Sequence, residues 1–177
     1  MTADELYLLP KDDKRHELIR GELTTMNPPG GNHAMIVVNV ATLLKNFVKP
    51  RRLGVVLSDP GFVLQRNPDT VRAPDVAFLS AAIISPKGVE KAFFQHPPEL
   101  AIEVVSPGDS AREVADKTQE YLAGGAREVW IVQPEDRTVV IHRAGGEVIT
   151  LGEEDTLDGG TLLPGFTCRV VEFFEPY

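Results

Sequence analysis

From His33 to Val48 the apolar residues Ile36, Val37, Val40, Leu43, Leu44 and Phe47 recur at helical spacing. The loop Pro28-Pro29-Gly30-Gly31 precedes them, Asn32 is the expected N-cap, and the helix stops before Pro50. A second stripe joins Ala111, Val114, Ala115, Thr118, Tyr121 and Leu122; it opens on the capping box Ser110-Ala-Arg-Glu113 and ends at Gly124-Gly125. Residues 3–8 suit one short helix ended by Pro10. Most other apolar residues fall in short runs bounded by turn residues, the mark of strands. Arg20-Gly21 is a tight hairpin turn within His16–Met26. Val55–Ser58 and Phe62–Gln65 flank Asp59-Pro60-Gly61, and a turn through Asn67-Pro68-Asp69 leads to a strand over Asp75–Leu79. The stretch from Ala81 to Pro98 reads as a connection containing a short helix. Leu100–Val105 and Glu128–Val132 are apolar strands on either side of the second long helix; Val139–Arg143 and Glu147–Leu151 form a hairpin, and the C-terminal part is short strands and turns.

Strand, helix and strand over residues 100–132 make a βαβ unit, whose right-handed crossover sets its two strands parallel. The earlier strands, joined by short turns, are expected to be antiparallel. The fold class is therefore α/β in the broad sense: one mixed sheet flanked by two main helices, in a single domain over residues 1–177.

Composition narrows the chemistry. The formal charge is −8, yet residues 1–146 are nearly balanced and residues 147–177 carry seven acids against one arginine. That balance argues against non-specific coating of nucleic acid, which needs clustered Lys and Arg, and leaves a local basic groove open. Cys168 is the sole cysteine, which excludes an intrachain disulfide and a Cys-based zinc site. The N-terminus lacks a basic segment followed by an apolar one, and no apolar run approaches the ~18 residues of a membrane span, so a soluble cytoplasmic protein is expected. His16, His33, His96 and His142 form no close pair, and phosphate-binding glycine loops and a GxSxG elbow are missing.

Glu103 stands in the middle of an apolar strand, where a carboxylate costs several kcal/mol unless it is paired or bound. Asp75 follows Pro74 at the start of an earlier strand. Two carboxylates on adjacent strands suit a hard divalent cation such as Mg²⁺, which takes oxygen ligands and keeps several waters. The competing readings are a turn-initiating acid for Asp75 and a buried ion pair for Glu103. Lys117, at the flank of the second helical stripe, can bend back over the sheet or stand solvated among Arg112, Glu113, Asp116 and Glu120. His33, in the first turn of its helix, suits an anion contact or a plain surface position.

In series, HELIRGEL (16–23), GGNH (30–33), VRAPDVAFLS (71–80), PELAIEVVSPGDS (98–110), KTQEYLAGGAREVWIV (117–132) and LPGF (163–166) resemble the PD-(D/E)XK nuclease superfamily. More narrowly they resemble its Uma-type family of restriction-endonuclease-like proteins. The resemblance implies a restriction-endonuclease-like core of helix, antiparallel strands, then strand, helix and strand. It also implies Mg²⁺ or Mn²⁺ held by Asp75 and Glu103, with the Val104 carbonyl as a further ligand. Val105 replaces the superfamily's lysine two residues after the Glu, and Lys117 is the matching Uma-type position. Glu17 and His33 match positions that carry Glu and His in the family, as auxiliaries; Gln133 stands where Asp is common and falls outside the metal site.

The function expected is a Mg²⁺-dependent endonuclease acting on DNA, with Asp75, Glu103 and Lys117 catalytic and a homodimer presenting two sites. Arg72, Lys45, Arg51 and Arg52 are candidates for the phosphate track. The alternative is a catalytically inactive nuclease-fold module for nucleic-acid or protein interaction, in which Glu103 and Lys117 form a structural ion pair.

Overall fold

The computed structural model describes residues 1–10, 12, 14–84 and 88–176. A five-residue helix, α1 (Ala3–Tyr7), is closed at its start by a capping box between Thr2 and Glu5. β1 (Arg15–Ile19) and β2 (Glu22–Met26) follow as a hairpin. Its turn residues Arg20 and Gly21 both have positive φ, 49° and 84°, the sign pattern that suits the right-handed twist of a tight hairpin.

The long helix α2 (Gly31–Val48) buries Ile36, Val40, Leu44 and Val48. Its N-cap is Gly30, without a side-chain cap; the expected cap Asn32 lies inside the first turn. The extended backbone at Gly30 already turns the chain into the helix, so the cap falls two residues before the polar side chain that suggested it.

β3 (Gly54–Ser58), β4 (Phe62–Gln65), β5 (Thr70–Arg72), β6 (Val76–Ser80) and β7 (Leu100–Val104) come next. α3 (Ala111–Gly124) then leads to β8 (Glu128–Gln133). The expected Ser110–Glu113 capping box is formed, and Gly125 ends α3 at φ 110°, a left-handed conformation that glycine adopts without a Cβ penalty. β9 (Thr138–Arg143) and β10 (Val148–Leu151) form the hairpin; β11 (Thr156–Asp158), β12 (Thr167–Arg169) and a 3₁₀ turn (Val170–Phe173) complete the chain.

Among the described residues the strands make a six-stranded sheet ordered β10-β9-β8-β7-β6-β3, a four-stranded sheet ordered β2-β1-β5-β4 and the pair β11-β12. β7 and β8 are parallel, as the βαβ reading requires, while β6 and β7 are antiparallel. The single sheet expected is thus divided. The chain leaves the large sheet at Asp59-Pro60-Gly61, so β3 and β4 belong to different sheets rather than to one hairpin. β5, three residues long, is too short for its alternation to be read, yet it carries the pairing to both β1 and β4. Among the described residues of the 81–98 connection there is no helix; Ser85, Pro86 and Lys87 of that stretch lie outside them. The connection is instead pinned by Phe94, whose N–H donates to the Gly61 carbonyl (2.9 Å) and whose carbonyl accepts from Val63 (2.9 Å).

Strand alternation sorts the core. Val76, Phe78, Leu100, Ile102, Val104, Trp130 and Val132 pack with the buried stripe of α2 on one face of the large sheet. Ala101, Val129 and Ile131 pack with Tyr121 of α3 on the other. Glu103, between Ile102 and Val104, therefore points to the α3 side.

Candidate active site

The antiparallel register sets Val76 opposite Ile102, so Asp75, one residue earlier, comes level with Glu103 at the end of the ladder. The Val104 N–H donates to Asp75 Oδ2 at 2.8 Å. His33 Nε2 lies 3.2 Å from the same oxygen, and Arg15 Nη1 donates to Oδ1 at 3.1 Å. Both carboxylate oxygens are thus held by cationic donors from the N-terminal part of the chain. Arg15 Nη2 is also 2.8 Å from Asp59 Oδ1.

Glu103 is 7% exposed. Tyr121 donates its hydroxyl to Oε1 at 2.8 Å, and Lys117 Nζ lies 3.3 Å from Oε2. Lys117 and Tyr121 are four residues apart on α3, one turn along the same face. Glu103, Val104 and Lys117 line a common cleft with Val105, Asp109 and Glu113, of about 20 Å³, space for a water or an ion and no more.

Glu17, 1% exposed, has both oxygens committed: Oε2 to Arg72 Nη1 (2.7 Å) and Oε1 to the Ala73 N–H (3.0 Å). Arg72 Nε in turn donates to Glu120 on α3 at 2.6 Å. Glu17 and Arg72 thereby tie β1, β5 and α3 together, and Arg72 is not a free cation for a phosphate track. Lys45 lies twelve residues beyond His33 on α2, roughly 18 Å away at 1.5 Å per residue, so the cluster Lys45, Arg51 and Arg52 sits at the far end of that helix. Gln133 bonds Thr138 at the β8–β9 turn (2.8 Å).

Burial pushes the Glu103 carboxyl up to about 7, against the pull of the Lys117 ammonium and with help from the charges of Asp75 and Glu17. Burial works on Asp75 in the same sense, but hydrogen bonds from His33 and the Val104 amide, with the charges of His33 and Arg15, hold it below the usual carboxylate range. His33 is raised, chiefly by its bond to Asp75, with the Val104 carbonyl contributing. Lys117 is raised although burial opposes it, because Glu103 and Glu17 outweigh the desolvation.

This donor set fits a divalent cation. Asp75, Glu103 and the Val104 carbonyl are hard oxygens. Burial first, and then the charges of Asp75 and Glu17, outweigh Lys117 and Arg15 at Glu103, so that its carboxyl holds a proton up to about pH 7. His33, against both Asp75 and Val104, occupies part of the place a cation would take. Among the described residues no group of three or more His, Cys, Asp or Glu side chains is gathered as a metal site. Beyond Asp75, Glu103 and the Val104 carbonyl, an ion would therefore depend on water for the rest of its shell, as Mg²⁺ commonly does.

Arg15, Tyr121 and Asp59 were not singled out from the sequence. Tyr121 stands four residues after Lys117, a legible signal masked by its place in the apolar stripe. Arg15 alternates with Glu17 on one strand face, but nothing local connects it with Asp75, 60 residues away.

A mixed sheet in which a parallel βαβ unit carries Glu103 and Lys117, with Asp75 at the start of the neighbouring antiparallel strand, defines the restriction-endonuclease-like class of fold. The chain belongs to the Uma2 family: that family's model, described as "Putative restriction endonuclease", matches residues 3–171. Among solved structures it is similar to "a putative nuclease belonging to DUF820" from Anabaena variabilis ATCC 29413. The TM-score is 0.86, with 21% identity over 98% of this chain and 97% of that one. At that identity the likeness concerns the fold. No curated protein matches the chain.

Proposed function

We propose that this nuclease-family protein is a Mg²⁺- or Mn²⁺-dependent endonuclease that hydrolyses phosphodiester bonds in DNA. The observation that carries the reading is the burial of two carboxylates from neighbouring strands, Asp75 and Glu103, with the Lys117 ammonium 3.3 Å from Glu103. Asp75, Glu103 and the Val104 carbonyl would hold the ion. When bound, it supplies Lewis acidity at a phosphoryl oxygen and lowers the pKa of a water.

The rest falls to the chain's own groups. Tyr121 fixes Glu103 through Oε1 and leaves Oε2 to Lys117 and the cleft. Lys117 stabilises charge that builds on the phosphate. Glu17 acts at a distance, by holding Arg72 and the Ala73 amide just before Asp75. The direct Lys117–Glu103 contact also favours a second reading, an inactive module in which that pair is structural.

The test is cleavage of labelled duplex DNA with Mg²⁺ or Mn²⁺, beside thermal unfolding with and without the ion. A millimolar ion should raise the melting temperature by mass action, and Asp75→Asn should abolish both that rise and the cleavage. An equal rise in the variant means the ion binds elsewhere. A wild type that cleaves no DNA leaves the inactive module.

A further inference from the structure

We propose that Arg15 is the phosphate-positioning residue of this site, with Asp59 holding its guanidinium ready beside Asp75. The inference rests on the phosphodiester reading given above.

Arg15, partly buried, and Arg72, buried, each lie between two carboxylates, and they are used differently. Arg72 makes two short hydrogen bonds, Nε to Glu120 and Nη1 to Glu17. Among the described residues Arg15 makes one, from Nη1 to Asp75; its Nε and Nη2 are buried without a hydrogen-bonded acceptor there. Nη2 is within ion-pair distance of Asp59, 2.8 Å, but out of line for a hydrogen bond. Nε and Nη2 together form the side edge of a guanidinium, which presents two parallel N–H groups and matches two oxygens of a phosphate. A buried donor left unmade is costly, and an arrangement serving only to neutralise Asp75 would gain by turning this edge onto Asp59. His33, whose Nε2 meets the other oxygen of Asp75, likewise has a buried Nδ1 without a partner among the described residues.

Asp59 is placed to be exchanged for a phosphate. Its side chain is 53% exposed, whereas that of Asp75 is 6% exposed, so a polyanion arriving from solvent meets Asp59 first. The backbone around it is fixed: Asp59 has φ 58°, its N–H donates to the Asp75 carbonyl (3.4 Å), and Ser58 Oγ donates to the same carbonyl (3.3 Å). The acid therefore stays against Nη2, and a phosphate reaches the buried edge of Arg15 by displacing the Asp59 carboxylate. The ligand this arrangement takes is a phosphodiester oxygen pair next to the Asp75–Glu103 site.

The test measures binding and turnover separately. Binding is measured in the Glu103→Gln background, which is not expected to cleave, with a fluorescein-labelled 20-base-pair duplex over a range of salt. Adding Arg15→Gln should weaken binding about ten-fold, the loss of one charge-assisted contact. It should also reduce the slope of log K against log salt by about one. Adding Asp59→Asn should tighten binding several-fold. In the otherwise wild-type protein with Mg²⁺, Arg15→Lys keeps the charge but loses the fork, and should lower kcat more than it raises KM. Thermal unfolding identifies variants that fail to fold; if Arg15→Gln is one, Arg15→Lys and Asp59→Asn decide. Unchanged affinity, salt slope and turnover in folded variants of a protein that cleaves DNA would overturn the role of Arg15 alone. Arg15-dependent duplex binding by a wild type that cleaves nothing would retain Arg15 as a phosphate contact and remove the nuclease reading instead.

Discussion

At Glu103 burial and charge pull in opposite directions, and the balance can be measured as pH dependence. Its carboxyl rises from the 4.5 of an unperturbed glutamate to about 7, so the folded protein holds this proton more tightly than the unfolded chain. That share of stability is complete below about pH 4.5 and is lost as pH rises through about 7. Asp75, held low, acts in the opposite window: its share is present above 3.8 and is lost as pH falls through its depressed value. Metal-free protein should accordingly lose up to about 3 kcal/mol between pH 5 and 8 by denaturant unfolding, and Glu103→Gln should flatten that slope. A slope unchanged in the variant would assign it to other groups. Lys117→Met leaves Glu103 with Tyr121 alone. At pH 8, without metal, it should cost about 3 kcal/mol, shrinking towards pH 6 as Glu103 takes up a proton. In single-turnover cleavage the same change should cost about 10²–10³-fold if the ammonium acts on the phosphate. Lost stability with undiminished cleavage would make Lys117 purely structural.

Elements bring these side chains together through a few cross-links between separate parts of the fold. Arg72 on β5 reaches Glu17 on β1 and Glu120 on α3, and Glu120 lies three residues from Lys117 on the same helix. Arg72→Met should strand the buried Glu17 and cost about 3–5 kcal/mol in chemical denaturation. A loss below about 1 kcal/mol would show that the small sheet and α3 are held by apolar packing instead. The elements themselves were largely legible. The Ser110–Glu113 capping box, the Gly125 stop and the Arg20-Gly21 turn each lie within a few residues and answer to local rules. The N-cap at Gly30 and the three-residue strand β5 were not, since neither offers a side-chain pattern to read.

For the molecule as a whole, charge limits how the proposed DNA substrate can be approached. At −8 overall, with the basic cluster of α2 remote from Asp75, attraction must come from a small local set of cations and should weaken quickly with salt. No described helix is long and apolar enough to cross a membrane. Cutting both strands of a duplex needs two sites, and two-fold pairing is the commonest way to present them. Light scattering should therefore give twice the 19.4 kDa of the chain; a monomer at high concentration would restrict the activity to one strand at a time.

By itself the sequence determined the two long helices, the parallel βαβ unit, and Asp75, Glu103 and Lys117 as the groups to explain. Periodicity, caps and an acid in an apolar strand are properties of neighbouring residues. Only the tertiary structure decided what those groups touch. It brought Arg15 and His33 onto Asp75, gave Glu103 the Tyr121 hydroxyl, and committed Glu17 to Arg72 across 55 residues. It also divided the strands between two sheets at Asp59. Such pairings depend on strand register and on the reach of long side chains across sheet edges, and a charge pair far apart in the chain has no period to betray it.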